Sequence, residues 1–484
     1  MSAIREYLNP TKSVWGLGLF VALLAIAGGL IAAYGGPIAA AAVFLALIAV
    51  FVVLREIEVG FWSVILVVAL IPFATLPIDI GLTPTFLDLA IGAVVAVWLL
   101  GIVTGQQTSV TLTPITLPLI IFILIAIFAF IFGLSNGPLT PTLLRKFAEL
   151  LISLGLVLVI IDYCSNWDRL LRLAKVLLLS GAVASAIAIG LWLLPDDTAN
   201  TALNTLQRLG YPGGWVVRYI EENPALAERA IGTSVDPNVL GGLLLMMGAL
   251  AGPQLVTKEP LFSRRVTVVI VGLIFIALIL TFSRSAMVGL AAGLLFVTAV
   301  RYRRLLPYML AAAILLLLLP VAQDYVGRFV EGVQGQDLAT QMRFGEYKDA
   351  LTLIQRYPLF GVGFAGTPDI DLYLGVANVY LTITQVMGLI GLLSFFAIII
   401  TIFTSAFFNR QWFKKHPQQD AVWLGLHAAL VGALVAGVFD HYLFNLEFHH
   451  AVTAFWMIVG LAVATTHLGT ASSESQPYLD TSFG

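Results

Sequence analysis

The sequence predicts an all-α, polytopic integral membrane protein with about fourteen transmembrane helices and two long outer loops. Three observations lead there. Of 484 residues, 60% are hydrophobic and only 11% charged, against roughly 25% charged in a soluble domain. Mean hydropathy is +0.98. Apolar runs of about 17–25 residues, the length that crosses a bilayer, recur along the chain. Net charge is −2, so no global field points to nucleic acid, and no nucleic-acid partner is expected. Cys164 is the only cysteine, which excludes an internal disulfide.

The expected spans are roughly 14–34, 37–54, 61–77, 86–104, 113–133, 147–163, 173–194, 237–256, 266–282, 285–300, 305–321, 378–408, 421–439 and 451–467. The first has no small-residue cleavage site after it and reads as a retained helix. Together they make a membrane domain over 1–470, with long segments at 195–236 and 322–376 and a polar tail at 471–484.

Lysine and arginine in the loops set the orientation. With the N-terminus inside, the short loops RYRR (301–304) and RQWFKK (410–415) are cytoplasmic, and so are Arg169, Arg172 and Lys175. Both long loops then lie outside and the tail returns inside. Arg284 falls in a short outer loop between two apolar runs, where positive charge is normally scarce. A mid-bilayer arginine costs about 2.5–3.5 kcal/mol on insertion scales. Near a helix end it snorkels at lower cost. Two readings stand: Arg284 meets headgroups or a carboxylate, or the outer arginines converge on an anionic ligand. Asp88, Glu149, Asp236 and Asn238 also fall near outer helix ends. Polar groups thus gather at one face, which favours an interfacial site over a transmembrane pathway.

Several motifs sit at that face. GTSVDPN (232–238) follows Arg229, with Asp236 or Asn238 as a cap and Pro237 in the first turn. A guanidinium suits phosphate, because its fork matches the oxygens. TQMRFGEYKDALTLIQRYP (340–358) predicts an amphipathic helix, with Tyr347, Leu351 and Ile354 on one face. Arg343 begins it, where a basic residue gains nothing from the helix dipole. GVGFAG (361–366) matches GxGxxG but has no βαβ unit around it, so it reads as a turn. GLAAG (289–293) reads as ordinary close helix packing. FDHYLFNLEFHH (439–450) holds Asp440, His441, His449 and His450. It lacks HExxH spacing, and its adjacent histidines cannot share a helix face, so no metal is expected. A single histidine acting as general base fits better.

In this order, the pieces resemble the bacterial O-antigen ligase and polymerase superfamily over roughly 229–395. The resemblance rests on Ser283-Arg284-Ser285, on Arg229 with GTSVDPN, on Arg343 with PLFGVG (358–363), and on ANVYL (377–381) with GLIGLL (388–393). It implies a glycan transferase acting outside the cell membrane. The donor would be a polyprenyl-diphosphate-linked oligosaccharide, and the acceptor a glycan or a lipid. Arg284, Arg229 and Arg343 would bind the diphosphate, and no cofactor would be needed. In ligases of the family a histidine precedes the asparagine and is thought to act as base. Here that position is Ala377, and only Asn378 matches. The expected catalytic residues are therefore His441, Glu346 and Asn378, with Asp440 a further choice of base. The missing histidine tilts the expectation toward a polymerase or another glycan transferase, with a member that uses no strong base, or an inactive one, left open. A transporter or flippase of lipid-linked glycan, or an inactive scaffold of a polysaccharide assembly complex, stands as the alternative.

Overall fold

In a computed structural model, the structure describes residues 55–76, 83–107, 109–318, 338–368, 372 and 374–474, with isolated positions elsewhere. The first two expected spans, much of the second long loop and the end of the polar tail lie outside the described residues. The described chain is a bundle of α-helices: α1 (Ile57–Leu70), α2 (Phe86–Val103), α3 (Thr116–Gly133), α4 (Pro141–Tyr163), α5 (Trp167–Trp192), α6 (Asp196–Asn204), α7 (Pro237–Val256), α8 (Arg264–Leu280), α9 (Arg284–Val300), α10 (Leu306–Leu318), α11 (Leu338–Arg356), α12 (Val379–Phe413), α13 (Pro417–Ala436) and α14 (His449–Glu474). Seven of them, α2, α3, α5, α7, α12, α13 and α14, are long and apolar enough to cross a membrane. In α4 the apolar run begins only after Arg145, Lys146 and Glu149.

Helix starts follow the capping rules. Thr85 and Asp88 form a reciprocal capping box on α2. Thr140 and Asn166 cap α4 and α5 through their side chains. The interior is built around α7, α13 and α14, whose residues are mostly buried. Small residues let α9 and α13 touch backbone to backbone. A Cβ at Gly289 would lie 2.6 Å from the Gly432 carbonyl, and one at Gly293 would lie 2.6 Å from that of Ala428. The GLAAG stretch is thus used within the chain, as close helix packing requires.

The segment between α5 and α7 is folded. Helix α6 is followed by a two-stranded antiparallel hairpin, β1 (Arg218–Tyr219) and β2 (Glu228–Arg229). Trp192 donates to the Glu228 carbonyl at 3.2 Å, and the Tyr219 hydroxyl donates to Asp196. Burial, with the Asp196 charge adding to it, pushes the Glu228 carboxyl up from 4.5 to about 7. A carboxyl raised on folding stabilises the folded segment fully below its unfolded pKa, and that contribution is lost as pH rises through the folded value. The hairpin is therefore expected to loosen between pH 4.5 and about 7. Hydrogen exchange of its amides, corrected for intrinsic rate, should show faster opening above that window. Glu228→Gln should flatten the dependence, and equal protection across the window would contradict it.

Helix α12 is broken where the sequence promised one continuous span. Gly388 sits at φ 67°, ψ −173°, a conformation essentially confined to glycine. The break frees two carbonyls and two N–H groups, and the PLFGVG turn meets all four. Val362 N donates to Gln385 O at 2.8 Å and Gly363 N to Val386 O at 3.0 Å. Leu389 N donates to Pro358 O at 2.8 Å and Ile390 N to Leu359 O at 3.4 Å. Non-helical backbone at membrane depth needs such partners, because lipid offers none. Gly361 and Gly363 have φ of 67° and 80°, as a tight turn requires. A Cβ on Gly388 would lie 2.0 Å from the Leu359 carbonyl oxygen. Gly388→Ala should therefore cost about 3 kcal/mol or more, since backbone strain of about 1–3 kcal/mol adds to a clash with backbone. Folded yield and thermal unfolding in detergent read this out, and an unchanged melting temperature would refute it.

Candidate functional site

Helices α7 and α9 begin beside each other, and each start is strained. Val235, just before α7, has φ 62°, and Phe282, just before α9, has φ 52°. Left-handed backbone at a β-branched or bulky residue is an outlier. Such strain costs about 1–3 kcal/mol and clusters at working sites. At α7, the Asp236 carboxylate accepts from Asn238 N at 2.8 Å and from Val239 N at 3.0 Å. At α9, the cap position Ser283 makes no side-chain cap bond, and Arg284 is the first helical residue. A cation there opposes the helix dipole, whereas an anion beside it would be favoured by both the dipole and the guanidinium.

Arg229 ties the two starts together. Its Nε donates to the Thr281 carbonyl at 2.8 Å, and its Nη2 donates to Asn238 Oδ1 at 2.8 Å. The neighbouring Ala230 N donates to Leu280 O at 2.7 Å. Burial lowers the Arg229 pKa; Asp236, Glu222 and Asp440 act against this, and the charge of Arg284 adds to it. Two guanidinium groups thus share one partly buried region with acidic neighbours. Burial, with Asp440 adding, raises the Asp236 carboxyl above its usual range, against the N–H groups it accepts.

Asp440 links this region to the chain after α13. His441 Nδ1 lies 3.2 Å from Asp440 Oδ1, which also accepts His441 N at 2.9 Å. The His441 ring is about one-third exposed, while Asp440 is buried. Asp440 Oδ2 is buried and has no protein hydrogen-bond partner. On the other side stands α11. Burial raises the Tyr347 phenol, with the charges of Glu346 and Asp440 adding and those of Arg343 and the Asn378 amide opposing. Tyr347 Oη donates toward the carbonyls of Ala377 and Val438 at 3.3 and 3.4 Å. The six expected site residues therefore fall on one set of adjoining elements, and Asp440 and Tyr347 lie where those elements meet.

Their local roles differ. Asn378 is the N-cap of α12: its Oδ1 accepts from Leu381 N at 2.9 Å, and its Nδ2 donates to Val438 O at 2.8 Å. With its amide used at both ends, Asn378 fastens the start of α12 to the chain after α13. Glu346 accepts from Ala377 N at 3.0 Å, so its carboxylate braces the same corner. Helix α11 begins at Leu338, which puts Arg343 inside the helix and removes the dipole argument made for it. The buried face of α11 carries Ala350 and Leu353, whereas Leu351 is exposed. Of the expected face, Tyr347 and Ile354 are partly buried beside Ala350 and Leu353. His449 and His450 part company as adjacent residues must. His450 is buried with its ring 5.0 Å from Phe73, and His449 turns toward Asp88 and Glu149.

Sequence reasoning missed Tyr347 and Tyr442 as members of this region. Tyr442 is buried, with its hydroxyl directed toward Ser285. It lies flat on α7 because residue 242 is glycine; a Cβ there would sit 2.2 Å from the ring. Its place two residues after Asp440 was the available signal.

Residues 269–396 match the family model described as O-antigen ligase. The match supports placing this segment in the O-antigen ligase and polymerase superfamily. The matched O-antigen ligase segment runs from within α8 to within α12 and so contains Arg284, Arg343, Glu346 and Asn378, while Arg229 and His441 lie on either side of it. No curated protein matches the chain. For an O-antigen ligase-type membrane protein, the matched segment includes both the uncapped start of α9 and the broken helix α12.

Proposed function

We propose that this protein transfers or polymerises a glycan from a polyprenyl-diphosphate donor at the extracytoplasmic face of the cell membrane. In this reading it is a multi-pass protein of the inner membrane with both termini cytoplasmic. The observation that carries the reading is the uncapped α9 start. There Arg284 stands beside Arg229, next to the Asp440–His441 pair.

The chemistry follows from these positions. The diphosphate sits against Arg284 and Arg229, with Arg343 reaching from α11. An acceptor hydroxyl attacks the anomeric carbon as the carbon–oxygen bond to the diphosphate breaks. Negative charge grows on the leaving diphosphate, and fixed guanidinium groups stabilise it more than the ground state. The proton of the attacking hydroxyl goes to His441. With Nδ1–H donated to Asp440, Nε2 carries the free lone pair on the more exposed side of the ring. Asp440 holds the tautomer and offsets the imidazolium that forms. Among the expected bases His441 fits best, because Asn378 caps a helix and Glu346 is engaged with backbone.

Polymerase and ligase part on the acceptor. The protein in vesicles with one lipid-diphosphate oligosaccharide and no second acceptor should yield a ladder of longer lipid-linked chains if it polymerises. Transfer only after an acceptor is added would make it a ligase. No product with native donor under either condition would favour the transporter or scaffold alternatives.

A further inference from the structure

A second polar group lies apart from the arginine region, and the proposed transfer does not use it. Helices α2, α4 and α14 each bring one side chain to it: Asp88, Glu149 and His449. Their ligand atoms lie within 4.8 Å of one another, and among the described residues this is the group of at least three potential metal ligands that comes together. His449 Nδ1 is 3.5 Å from Asp88 Oδ1 and 3.9 Å from Glu149 Oε2. The His449 side chain is nine-tenths buried. Its Nδ1 and Asp88 Oδ1 are both buried with no geometric hydrogen bond among the described residues, although the Asp88 and Glu149 carboxyls face each other closely enough to share a proton.

The remaining atoms of these three residues are occupied. Asp88 Oδ2 accepts from Thr85 N at 2.8 Å and faces Arg145 Nη1 at 3.8 Å. Glu149 Oε1 accepts from Arg145 Nη1 at 2.7 Å. His449 Nε2 lies 3.1 Å from Ser153 Oγ, which is itself 2.9 Å from Thr453 Oγ1. Each residue is thus held by one atom and turns its other atom toward its neighbours. That division, an outer partner fixing an inner ligand, is how metal-binding carboxylates and histidines are oriented. The two His449 separations, 3.5 and 3.9 Å, exceed a good hydrogen bond of about 2.7–3.2 Å. The shorter one suits ligands around one cation and the longer lies a few tenths of an ångström beyond, since bonds of about 2.0–2.2 Å in a tetrahedron place ligand atoms about 3.3–3.6 Å apart.

We propose that Asp88 Oδ1, Glu149 Oε2 and His449 Nδ1 bind one divalent transition-metal cation of the zinc class, clamping α2, α4 and α14 together. One imidazole nitrogen and two carboxylate oxygens suit zinc or manganese better than calcium or magnesium. Three protein ligands leave a fourth position for water. Arg145 offsets part of the carboxylate charge, but it does so from the far oxygens and leaves the near ones to the cation. The site stands on its own geometry and does not depend on the transfer reading.

The test uses the full chain, purified in detergent without a histidine tag. It is stripped with chelator, reloaded with zinc and freed of excess, and its metal is counted by mass spectrometry. The wild type should retain about one zinc per chain, as a single three-ligand site requires. His449→Gln and Asp88→Asn should each retain none. Zinc should also raise the melting temperature of the stripped wild type. X-ray absorption of the wild-type zinc should show nitrogen and oxygen ligands with an imidazole signature, a readout that does not depend on any variant folding. No retained zinc in the wild type would overturn the site and leave a proton shared between the carboxylates. Equal zinc in a folded His449→Gln variant, or a sulfur-ligated zinc, would overturn it as well.

Discussion

Arg284→Ala is expected to lower the turnover of the lipid-linked donor about 10²–10³-fold, the usual cost of removing one preorganised group facing developing negative charge. The reason is positional. Arg284 is the first residue of α9, at a helix start whose cap residue makes no side-chain bond. Its guanidinium, the N–H groups of the first turn and the helix dipole all favour an anion in the same place. The substitution should remove transition-state stabilisation, and the amount of folded protein is measured beside the rate. Arg284→Lys should recover only part of the rate, because an ammonium keeps the charge but loses the fork that grips two oxygens. Rates in reconstituted vesicles, normalised to folded protein, read this out. Activity of Arg284→Ala within threefold of wild type would remove this residue from the mechanism. Arg229→Ala is a less clean probe, because Arg229 also holds the Thr281 carbonyl and the Asn238 amide in place.

His441→Gln is expected to reduce the rate about 10²–10⁴-fold, the range for loss of a general base, with little change in donor affinity. The prediction rests on the Asp440–His441 pair, in which one ring nitrogen faces a buried carboxylate and the ring stays partly open to solvent. Asp440→Asn keeps the shape but replaces an ionised acceptor with an amide, so it should also lower the rate at saturating donor. The split between affinity and turnover is informative. A loss confined to affinity would make His441 a donor contact, with proton removal assigned elsewhere. Equal rates for His441→Gln and wild type would leave Glu346 and Asp440 as the remaining expected bases, and Glu346→Gln and Asp440→Asn would then decide between them.

The bundle was legible in the sequence because hydropathy and length are local properties. The start of α7 was legible too, since Asp236-Pro237 is a local capping pattern, and the turn character of GVGFAG was read correctly. The break in α12 was hidden because a glycine within GLIGLL looks like any glycine in a membrane span. Its cause lies in the hydrogen bonds that the distant PLFGVG turn supplies. Arg229 was singled out for its side chain, but its tie to Thr281 joins residues that no sequence period connects. Asn378 was drawn into catalysis by the family pattern, although an asparagine before an apolar run is an ordinary cap signal. On α11 helical spacing grouped Tyr347, Leu351 and Ile354, but it does not say which stripe meets the bundle, and Leu351 faces outward. Asp88, Glu149 and His449 come from three helices, so only packing could bring them together. The histidine-rich stretch that drew attention, 439–450, contributes Asp440, His441 and Tyr442 to one group and His449 to another.

The central claim is that paired arginines at the α9 start hold a diphosphate while the glycan leaves it. The most direct measurement is release of free polyprenyl diphosphate from a lipid-diphosphate oligosaccharide, by purified protein in bilayers with acceptor present. The account predicts that release matches glycan transfer mole for mole and falls at least about 100-fold in Arg284→Ala. Absence of release from native donor, or release undiminished by Arg284→Ala, would contradict it.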